Sequence, residues 1–375
     1  MTEYYDGTKL LSMLDIEGNK PEIFMVTTNR TGGKTTYYSR LIVNKFLKGQ
    51  GKFAILYRFD YELDDVDDKF FKDIKGLFFP NYYMRSENRA KGKYRELFLC
   101  STESVDDKGI SCGYAIALNS ADTIKKYSHL FSDVNRMFMD EFQSETNHYC
   151  SDEVKKFISI HTSIARGQGE QVRYVPVYMC SNPVSIINPY YTDMGISSRL
   201  REDTHYLKGN GFVLEQGYVD SANIAQKNSG FMKAFSNNEY TAYASEAVYL
   251  NDSKAFIEKP LGIGQYLCTI KYENNEYAIR QFNEEGIIYV DDKVDTTFKL
   301  KIAVTTKDHN VNYVMLKSNE FIIFNMRYYF EQGCVRFKDL KCKEAFLKLI
   351  SYWVSIYVYL TELIGEHTWK IVPRK

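Results

Sequence analysis

Several features that mark other protein classes are missing from this sequence of 375 residues. Its seven cysteines form no Cys-x-x-Cys pair and no cluster with histidine. This pattern argues against a disulfide framework and a structural zinc site, and it favours a reducing compartment such as the cytoplasm. The 48 basic and 48 acidic side chains cancel to a formal net charge of zero. Any contact with nucleic acid must therefore come from a local basic patch rather than from an overall positive field.

Long apolar runs are also missing. The most apolar stretch, residues 349–360, contains serines and tyrosines and is too short to cross a bilayer, so we expect a buried helix and no membrane partner. The first residues lack the basic and apolar regions of a signal peptide, and we expect none. A hydrophobic fraction of 44% is globular, and the length allows one large domain or two ordinary ones.

What the sequence does contain, near its start, is an apolar strand, a tight turn and a helix. Residues 23–28 are predicted to form a buried strand, and the turn that follows reads Asn29-Arg30-Thr31-Gly32-Gly33-Lys34-Thr35-Thr36. Gly33-Lys34-Thr35 is the end of a phosphate-binding loop, in which the lysine reaches the β- and γ-phosphates of ATP and the threonine hydroxyl binds Mg²⁺. The next helix, at about 35–48, directs its positive N-terminal end at the same anion.

The loop departs from the general pattern at one position. A glycine is usual five residues before the second glycine, and Thr28 stands there instead. The alternative interpretation is an ordinary basic turn, but the preceding strand and the following helix favour the phosphate-binding one.

A second strand ends in two carboxylates. Residues 134–139 are mostly apolar and lead to Asp140-Glu141, the pattern of a Walker B element. The first carboxylate supports Mg²⁺, and the second orients or deprotonates the water that attacks the γ-phosphate. A strand followed by a polar loop is the alternative, and the phosphate-binding loop upstream favours the catalytic interpretation.

A third strand, within residues 174–181, ends at Asn182. The carboxyl ends of parallel strands form the site in such sheets, so we expect Asn182 beside Asp140 and Glu141. Its amide could hold the water or sense the γ-phosphate, and a simple Asn-Pro turn is an equally open alternative.

The remaining chain gives weaker signals. The densest basic segment is 85–95, a candidate for a local basic patch that contacts nucleic acid, with a solvated lid or hairpin loop as the alternative. Residues 209–245 are rich in Gly, Asn, Ser and Ala and are interpreted as a linker or connecting subdomain. A hairpin is predicted at 265–272 and 277–281, and a strand at 321–324.

With these elements in this order, the chain resembles the DNA-packaging (encapsidation) ATPases of small podovirus-type tailed phages, compact relatives of the large terminase subunits. The resemblance is best over about residues 20–205. Its most specific point is Arg30, because terminase-type loops often lack the first glycine and carry an arginine four residues before the lysine. Thr28 is therefore no departure from this family. Residues 55–62 resemble the family's strand with a conspicuous arginine, here Arg58.

The resemblance implies an α/β fold: a P-loop NTPase of the type with an additional catalytic glutamate (ASCE), its parallel sheet flanked by helices, over residues 1–208. Residues 209–245 would connect this motor domain to a smaller α+β domain at 246–375. That last domain would resemble an RNase H-like nuclease. No acidic triad for two metals can be placed there, which favours a vestigial domain for docking and DNA contact without nuclease activity.

The implied function is an ATP-driven motor that translocates double-stranded viral DNA into a procapsid through its portal, in the host cytoplasm and without remaining in the mature virion. The subunits would form a homo-oligomeric ring, by resemblance a pentamer, and whether a packaging RNA takes part stays open. Each site would be completed by a neighbour's arginine. Arg166 is the first candidate and Arg173 the second.

Within one subunit, Lys34, Thr35 and Asp140 would hold ATP with Mg²⁺. Glu141 would position water, and Arg30 and Asn182 would report the nucleotide state. Three rivals remain: a helicase-like NTPase or a small-molecule kinase, a binding protein with a degenerate loop, and a terminase with an active nuclease. DNA-stimulated ATP turnover, nucleotide binding that depends on Lys34, and metal-dependent DNA cleavage distinguish them.

Overall fold

In a computed structural model of the protein, the three informative strands lie side by side at the centre of one sheet. The structure describes residues 4–351 apart from 105, 146–147, 168, 187, 198, 201–203, 237–243, 245–254, 258–259, 261 and 317–320. None of the helices in these ranges is both long and apolar enough to span a bilayer.

The described strands are β1 Ile23–Thr27, β2 Lys52–Tyr57, β3 Tyr83–Arg89, β4 Tyr94–Cys100, β5 Ile110–Ala117, β6 Val134–Asp140, β7 Val177–Ser181, β8 Tyr206–Gly209, β9 Phe212–Gln216, β10 Ala255–Ile257, β11 Gln265–Tyr272, β12 Asn275–Phe282, β13 Ile287–Asp291, β14 Lys301–Ala303 and β15 Val335–Phe337. The described helices are α1 Thr8–Ser12, α2 Lys34–Leu47, α3 Val66–Phe78, α4 Ala121–Lys126, α5 Glu153–Ile164, α6 Pro189–Asp193, α7 Asp220–Asn228, α8 Gly230–Ala234, α9 Phe321–Glu331 and α10 Leu340–Ser351. Short 3₁₀ turns lie at Asp60–Leu63, Ala90–Gly92, Leu118–Ser120 and Ser128–Phe131.

The first sheet has the strand order β3-β4-β5-β2-β6-β7-β1-β9-β8. Strands β5, β2, β6, β7, β1 and β9 run parallel to one another, whereas β3 and β4 at one edge and β8 at the other edge pair antiparallel. The α/β prediction is confirmed, and the sheet is mixed rather than purely parallel. The central strands are apolar without alternation because both faces of a parallel sheet are covered.

Helix α2 covers the sheet directly after the phosphate-binding loop. Its Tyr38 is fully buried, and its ring stacks on Tyr178 of β7, with 5.4 Å between ring centroids. Ile42 and Val43 continue the same buried face one turn later. This packing fixes the N-terminal end of α2 at the carboxyl ends of β1 and β7.

The basic segment 85–95 forms the β3–β4 hairpin at one edge of the sheet. Most of its cations pair with carboxylates: Arg89 with Glu87 and Glu96, Lys93 with Asp60, and Arg95 with Asp64. The hairpin alternative is therefore the one observed. Its role in contacting nucleic acid stays a prediction, and these pairs reduce the charge available for it.

The second sheet has the order β10-β15-β13-β12-β11-β14. The predicted hairpin is confirmed as β11 and β12, which pair antiparallel from Gln265↔Gln281 to Tyr272↔Asn275. Glu273 and Asn274 turn the chain with φ angles of 49° and 65°. Helices α9 and α10 contribute to the apolar core of this sheet through Ile323, Met326 and Phe346.

The predicted strand at 321–324 is wrong, because these residues begin α9. Four consecutive apolar residues fit a buried strand or a helix equally well. The helical period becomes visible only further along, where Ile323, Met326 and Phe330 are buried while Phe324 and Tyr328 are exposed.

Two compact units are found: Met1–Pro183 with Asp203–Val248, and Val184–Glu202 with Tyr249–Lys375. Their extents differ from the predicted ranges at the linker. Residues 206–216 form the β8–β9 hairpin, and β9 pairs with β1 in the first sheet. Gly211, with a φ of 76°, belongs to the turn of this hairpin.

A buried ion pair ties β2 to α5. Arg58 donates through Nε to both carboxylate oxygens of Glu153 at 3.1 Å and through Nη2 to the carbonyl of Phe142 at 2.6 Å. Only 9% and 1% of the two charged side chains are exposed. Arg58 is thus held inside the subunit, next to the segment that follows Asp140.

We expect Glu153→Ala to lower the free energy of unfolding by about 3–5 kcal/mol, because it leaves a buried guanidinium without its counterion. Urea denaturation monitored by circular dichroism measures this. Lys125→Ala removes an exposed i,i+3 pair with Asp122 and is the control, with an expected change below about 1 kcal/mol. Equal effects of the two substitutions would contradict a structural role for the buried pair.

Candidate functional site

The predicted phosphate-binding loop connects β1 to α2 and turns sharply before the helix. Thr31 and Gly33 have φ angles of 60° and 93°. Position 33 favours glycine because this left-handed conformation strains other residues, and an added Cβ would lie 3.2 Å from a ring atom of Tyr4. Thr28, in place of the usual first glycine, is fully buried, and its N–H donates to the carbonyl of Ser181 at 3.3 Å.

Residues that follow β9 in the chain form hydrogen bonds with this loop. The side chain of Asn29 accepts from the N–H of Val219 at 2.9 Å and donates to its carbonyl at 3.1 Å. Gln226 on α7 donates to the carbonyl of Arg30 at 3.1 Å and to the hydroxyl of Thr31 at 2.9 Å. The segment predicted as a linker therefore positions the nucleotide loop.

Lys34 lies almost fully buried at the start of α2, with 7% exposure. Its Nζ donates to Oδ1 of Asn182 at 2.7 Å, so the hydrogen-bond partner of Asn182 here is the lysine, whereas the sequence predicted a position beside Asp140 and Glu141. Burial lowers the pKa of Lys34, and the negative groups around it, Asp140 and Glu141 among them, oppose that shift.

Asp140 and Glu141 follow each other at the carboxyl end of β6. One oxygen of Asp140 accepts from the N–H of Glu141 at 2.9 Å and from the Sγ of Cys180 at 3.1 Å. Glu141 has a φ of 53°, a conformation that is uncommon for a residue with a side chain. Glu141 is an exposed residue, but desolvation by the surrounding atoms raises the pKa of its carboxyl, and Asp140 and Glu145 add to this rise.

A cavity of about 370 Å³ lies beside the two carboxylates, and Lys34 and Asn182 are not part of its lining. Thr35, Asp140 and Glu141 line it together with Arg58 and Tyr57 of β2. A hydroxyl and a carboxylate on one wall fit Mg²⁺, which takes few protein ligands and keeps several waters. The described residues contain no cluster of three or more His, Cys, Asp or Glu side chains that could hold a metal by themselves.

Arg30 forms an ion pair with Glu145, a residue that the sequence interpretation missed. The same carboxylate accepts from Nδ2 of Asn182 at 3.5 Å. An ion pair and two hydrogen bonds therefore link four side chains in series across the site: Arg30, Glu145, Asn182 and Lys34. The sequence could have drawn attention to Glu145 only through its position four residues after Glu141. Its partner, Arg30, is distant in sequence.

The two candidate trans arginines lie elsewhere. Arg166 follows α5, is exposed, and donates to the hydroxyl of Ser128 at 2.6 Å. Arg173 is buried and donates to the carbonyls of Val134 at 3.2 Å and Ile164 at 2.6 Å. Val134 opens β6, whereas Asp140 closes it. Arg173 is thus at the opposite end of this strand from the carboxylates.

A comparison with known protein families finds a match that spans most of the chain. The model of the podovirus DNA encapsidation protein (Gp16) family matches residues 2–352. The DNA packaging protein of Bacillus phage phi29 is 23% identical over 340 residues, 90% of this chain and 93% of that protein. The DNA packaging protein of Bacillus phage B103 is 22% identical over 324 residues, 85% and 92% of the two chains.

Two solved structures share the fold. A chain of the bacteriophage Phi-29 viral genome packaging motor assembly has a TM-score of 0.54 and 20% identity and covers 96% of this chain and 99% of its own. A chain of the Phi-28 gp11 DNA packaging motor has a TM-score of 0.58 and 16% identity and covers 100% of both.

The raised pKa of Glu141 has a consequence for stability. Ionisation of this carboxyl is less favourable in the folded state than in the unfolded one, so Glu141→Gln is expected to raise the melting temperature at pH values above the raised pKa. The gain should shrink as the pH falls through the raised pKa toward the ordinary glutamate range, where the carboxyl is protonated in both states. Scanning calorimetry at several pH values measures it.

Glu284→Gln, at an exposed position, is the matched control and should change the melting temperature little at any pH. A stabilisation by Glu141→Gln that is independent of pH would show that the charge of this carboxylate is not its cause.

Proposed function

The chain belongs to the podovirus DNA encapsidation protein family, and we propose that it hydrolyses ATP to drive packaging of double-stranded viral DNA into a procapsid through the portal. The observation that carries this proposal is the convergence of Lys34, Thr35, Asp140 and Glu141 at one edge of the sheet. A lysine on a phosphate-binding loop, two magnesium-binding oxygens and a further carboxylate are the groups that phosphoryl transfer to water requires.

In this proposal each residue has a distinct task. The buried ammonium of Lys34 binds the β- and γ-phosphates, and Thr35 and Asp140 hold Mg²⁺. The metal supplies neutralisation of the charge on the phosphate oxygens. Glu141 orients the attacking water and accepts its proton, which its raised pKa favours because a stronger base is a better proton acceptor.

Arg30 and Asn182 report the nucleotide state. Because Asn182 accepts from Lys34, an incoming phosphate competes with this amide for the ammonium. A displaced Asn182 loses one partner and retains Glu145, which also holds Arg30. Binding at the lysine is therefore transmitted to Arg30 through two neighbouring contacts.

We propose a ring of identical subunits, a pentamer by family resemblance, in which Arg166 completes the site of a neighbour. Its exposure supports this choice, and its hydrogen bond goes to a hydroxyl, that of Ser128, rather than to a carboxylate. Arg173 is less suited, because it is buried and its guanidinium is engaged by backbone carbonyls of its own chain.

DNA would be held through its phosphates, independently of sequence. The protein would work in the host cytoplasm, bind the portal vertex transiently and leave before the virion matures, with or without a packaging RNA. The second unit would serve docking and DNA contact without cutting. The absence of a triad among its described acidic residues supports this, since an active nuclease needs three carboxylates around two metals.

We expect Glu141→Gln to lower ATP turnover by about 10²–10⁴-fold, because the water loses its base. Lys34→Ala should abolish tight ATP binding. ADP release is measured with and without double-stranded DNA and procapsids. The wild type should be stimulated by DNA, and the DNA recovered should be uncut.

Glu284→Gln is the control and should keep wild-type turnover. Unchanged turnover in Glu141→Gln would remove the central catalytic assignment. Phosphate transfer to a small acceptor without stimulation by DNA would favour a kinase, and cleaved DNA would favour an active terminase nuclease.

The trans role of Arg166 predicts complementation between subunits. Arg166→Ala should bind ATP normally and hydrolyse it about 10³-fold more slowly. Mixing it with Lys34→Ala should restore part of the turnover, because a Lys34→Ala subunit still offers its arginine to a neighbour with an intact lysine. ADP release is measured over a series of mixing ratios.

Lys155→Ala changes an exposed lysine of α5 and is the control, with turnover unchanged. If every mixture of Arg166→Ala and Lys34→Ala stays inactive although the two chains co-assemble, Arg166 does not act across the subunit boundary.

A further inference from the structure

A second cavity, of about 550 Å³, lies at the edge of the first sheet opposite to the phosphate-binding loop. Phe24, Arg136 and Tyr178, near the amino ends of β1, β6 and β7, line it, and Lys45 of α2 closes one side. The proposed ATP site is at the carboxyl ends of the same strands. The two cavities therefore belong to one unit and share no lining residue.

The lining of this cavity is strongly cationic. Lys20, Lys45, Arg136 and Arg173 contribute four positive charges, and Glu170 contributes one negative charge. Within the described ranges, none of the four cations forms an ion pair. This contrasts with the β3–β4 hairpin, where carboxylates neutralise most of the cations.

The two arginines are buried, with 5% and 7% exposure, and are held by neutral acceptors. Arg136 donates to the carbonyls of Gln50 and Gly51, and Arg173 donates to backbone carbonyls and to Oδ1 of Asn135 at 3.1 Å. The buried Nε of Arg173 has no acceptor in the described part of the chain. Burial also lowers the pKa of Arg136, as expected for a guanidinium that lacks a counterion. A site with buried, uncompensated positive charge favours an anion.

Aromatic rings also line the cavity. The ammonium of Lys20 lies over the ring of Tyr174, 3.9 Å from its centroid. Tyr174 is 40% exposed and faces the entrance, whereas Tyr178 is 6% exposed, lies deeper and already stacks on Tyr38 of α2. An aromatic face can stack on a flat ring, and the adjacent cations can bind a phosphate attached to it.

We propose that this cavity is a second nucleotide-phosphate site, which takes one base or sugar against its tyrosines and one phosphate against its lysines and arginines. The volume is within the range of small-ligand sites. The same chemistry is offered by a free nucleotide and by one residue of a nucleic-acid strand. The site is independent of ATP hydrolysis and does not rest on the proposed function.

Binding of nucleoside 5′-monophosphate tests the site, since this probe lacks the β-phosphate that a phosphate-binding loop requires. The titration calorimetry uses the full-length Lys34→Ala chain in buffer with a magnesium chelator. The substitution and the chelator both weaken binding at the proposed ATP site. We expect one equivalent to bind and the affinity to fall with added salt. Lys45→Gln and Lys20→Gln should each raise the dissociation constant about tenfold, the effect of losing one charged hydrogen bond.

These two lysines lie at the rim, so their substitution avoids the buried arginines that support the fold. Lys48→Gln, at the end of α2 and outside the lining, is the matched control and should bind as its parent does. Absence of binding at millimolar probe, or equal affinity in Lys45→Gln and Lys48→Gln, would overturn the proposal.

The source of the ligand is distinguished by a second titration with a 5′-phosphorylated trinucleotide. Tighter binding of the trinucleotide than of the monophosphate assigns the site to a nucleic-acid strand. Equal affinities assign it to a free nucleotide. In both cases Lys45→Gln must weaken the binding, and a trinucleotide that binds without this dependence contradicts the site.

Discussion

The parallel register of β1, β7 and β6 is the constraint on which the proposed nucleotide site depends. Thr27 of β1 pairs with Ser181 of β7, and Asp140 of β6 pairs with Cys180 one residue earlier. All three chains therefore leave the sheet at the same edge and at nearly the same height. A slip of one residue in either pairing would turn its side chains to the opposite face. The distances between Lys34, Asn182 and Asp140 follow from this pairing and not from the loops alone.

The charges gathered at that edge are only partly balanced. Lys34 is buried, and its pKa is lowered by desolvation, while desolvation and the neighbouring carboxylates raise the pKa of Glu141. Both shifts show that the charged forms are less favourable here than in water. A bound nucleotide phosphate and a cation would each add the missing opposite charge. Such unfavourable charges lower the stability of the free protein. They are common at functional sites because they favour ligand binding and catalysis.

The arginines of the first unit show how one residue type acquires different roles from its surroundings. Arg58 is neutralised by Glu153 and holds the chain beyond β6. Arg136 and Arg173 are buried among carbonyls and leave positive charge in a cavity. Arg166 is exposed, and Arg30 is paired with Glu145 beside the nucleotide loop. The sequence alone does not show which of the five are buried or which groups they contact. Burial and the nature of the acceptor decide whether each stabilises the fold or is available to an anion.

Local patterns determined the strand–loop–helix unit at 23–48, the carboxylates at 140–141 and the hairpin beginning at 265, because each is encoded by adjacent residues. The α/β class followed from continuous apolar strands joined by helices. The sequence could not show that 206–216 joins the first sheet, that Glu145 meets Arg30, or that Arg173 lines a cavity with Lys20 and Lys45. These relations join residues far apart in the chain, and they arise only when strand order and packing bring them together. The short apolar run that begins at 321 lies between these two groups. Its residues fit a strand or a helix, and only the pattern of buried and exposed side chains in the fold identifies the helix.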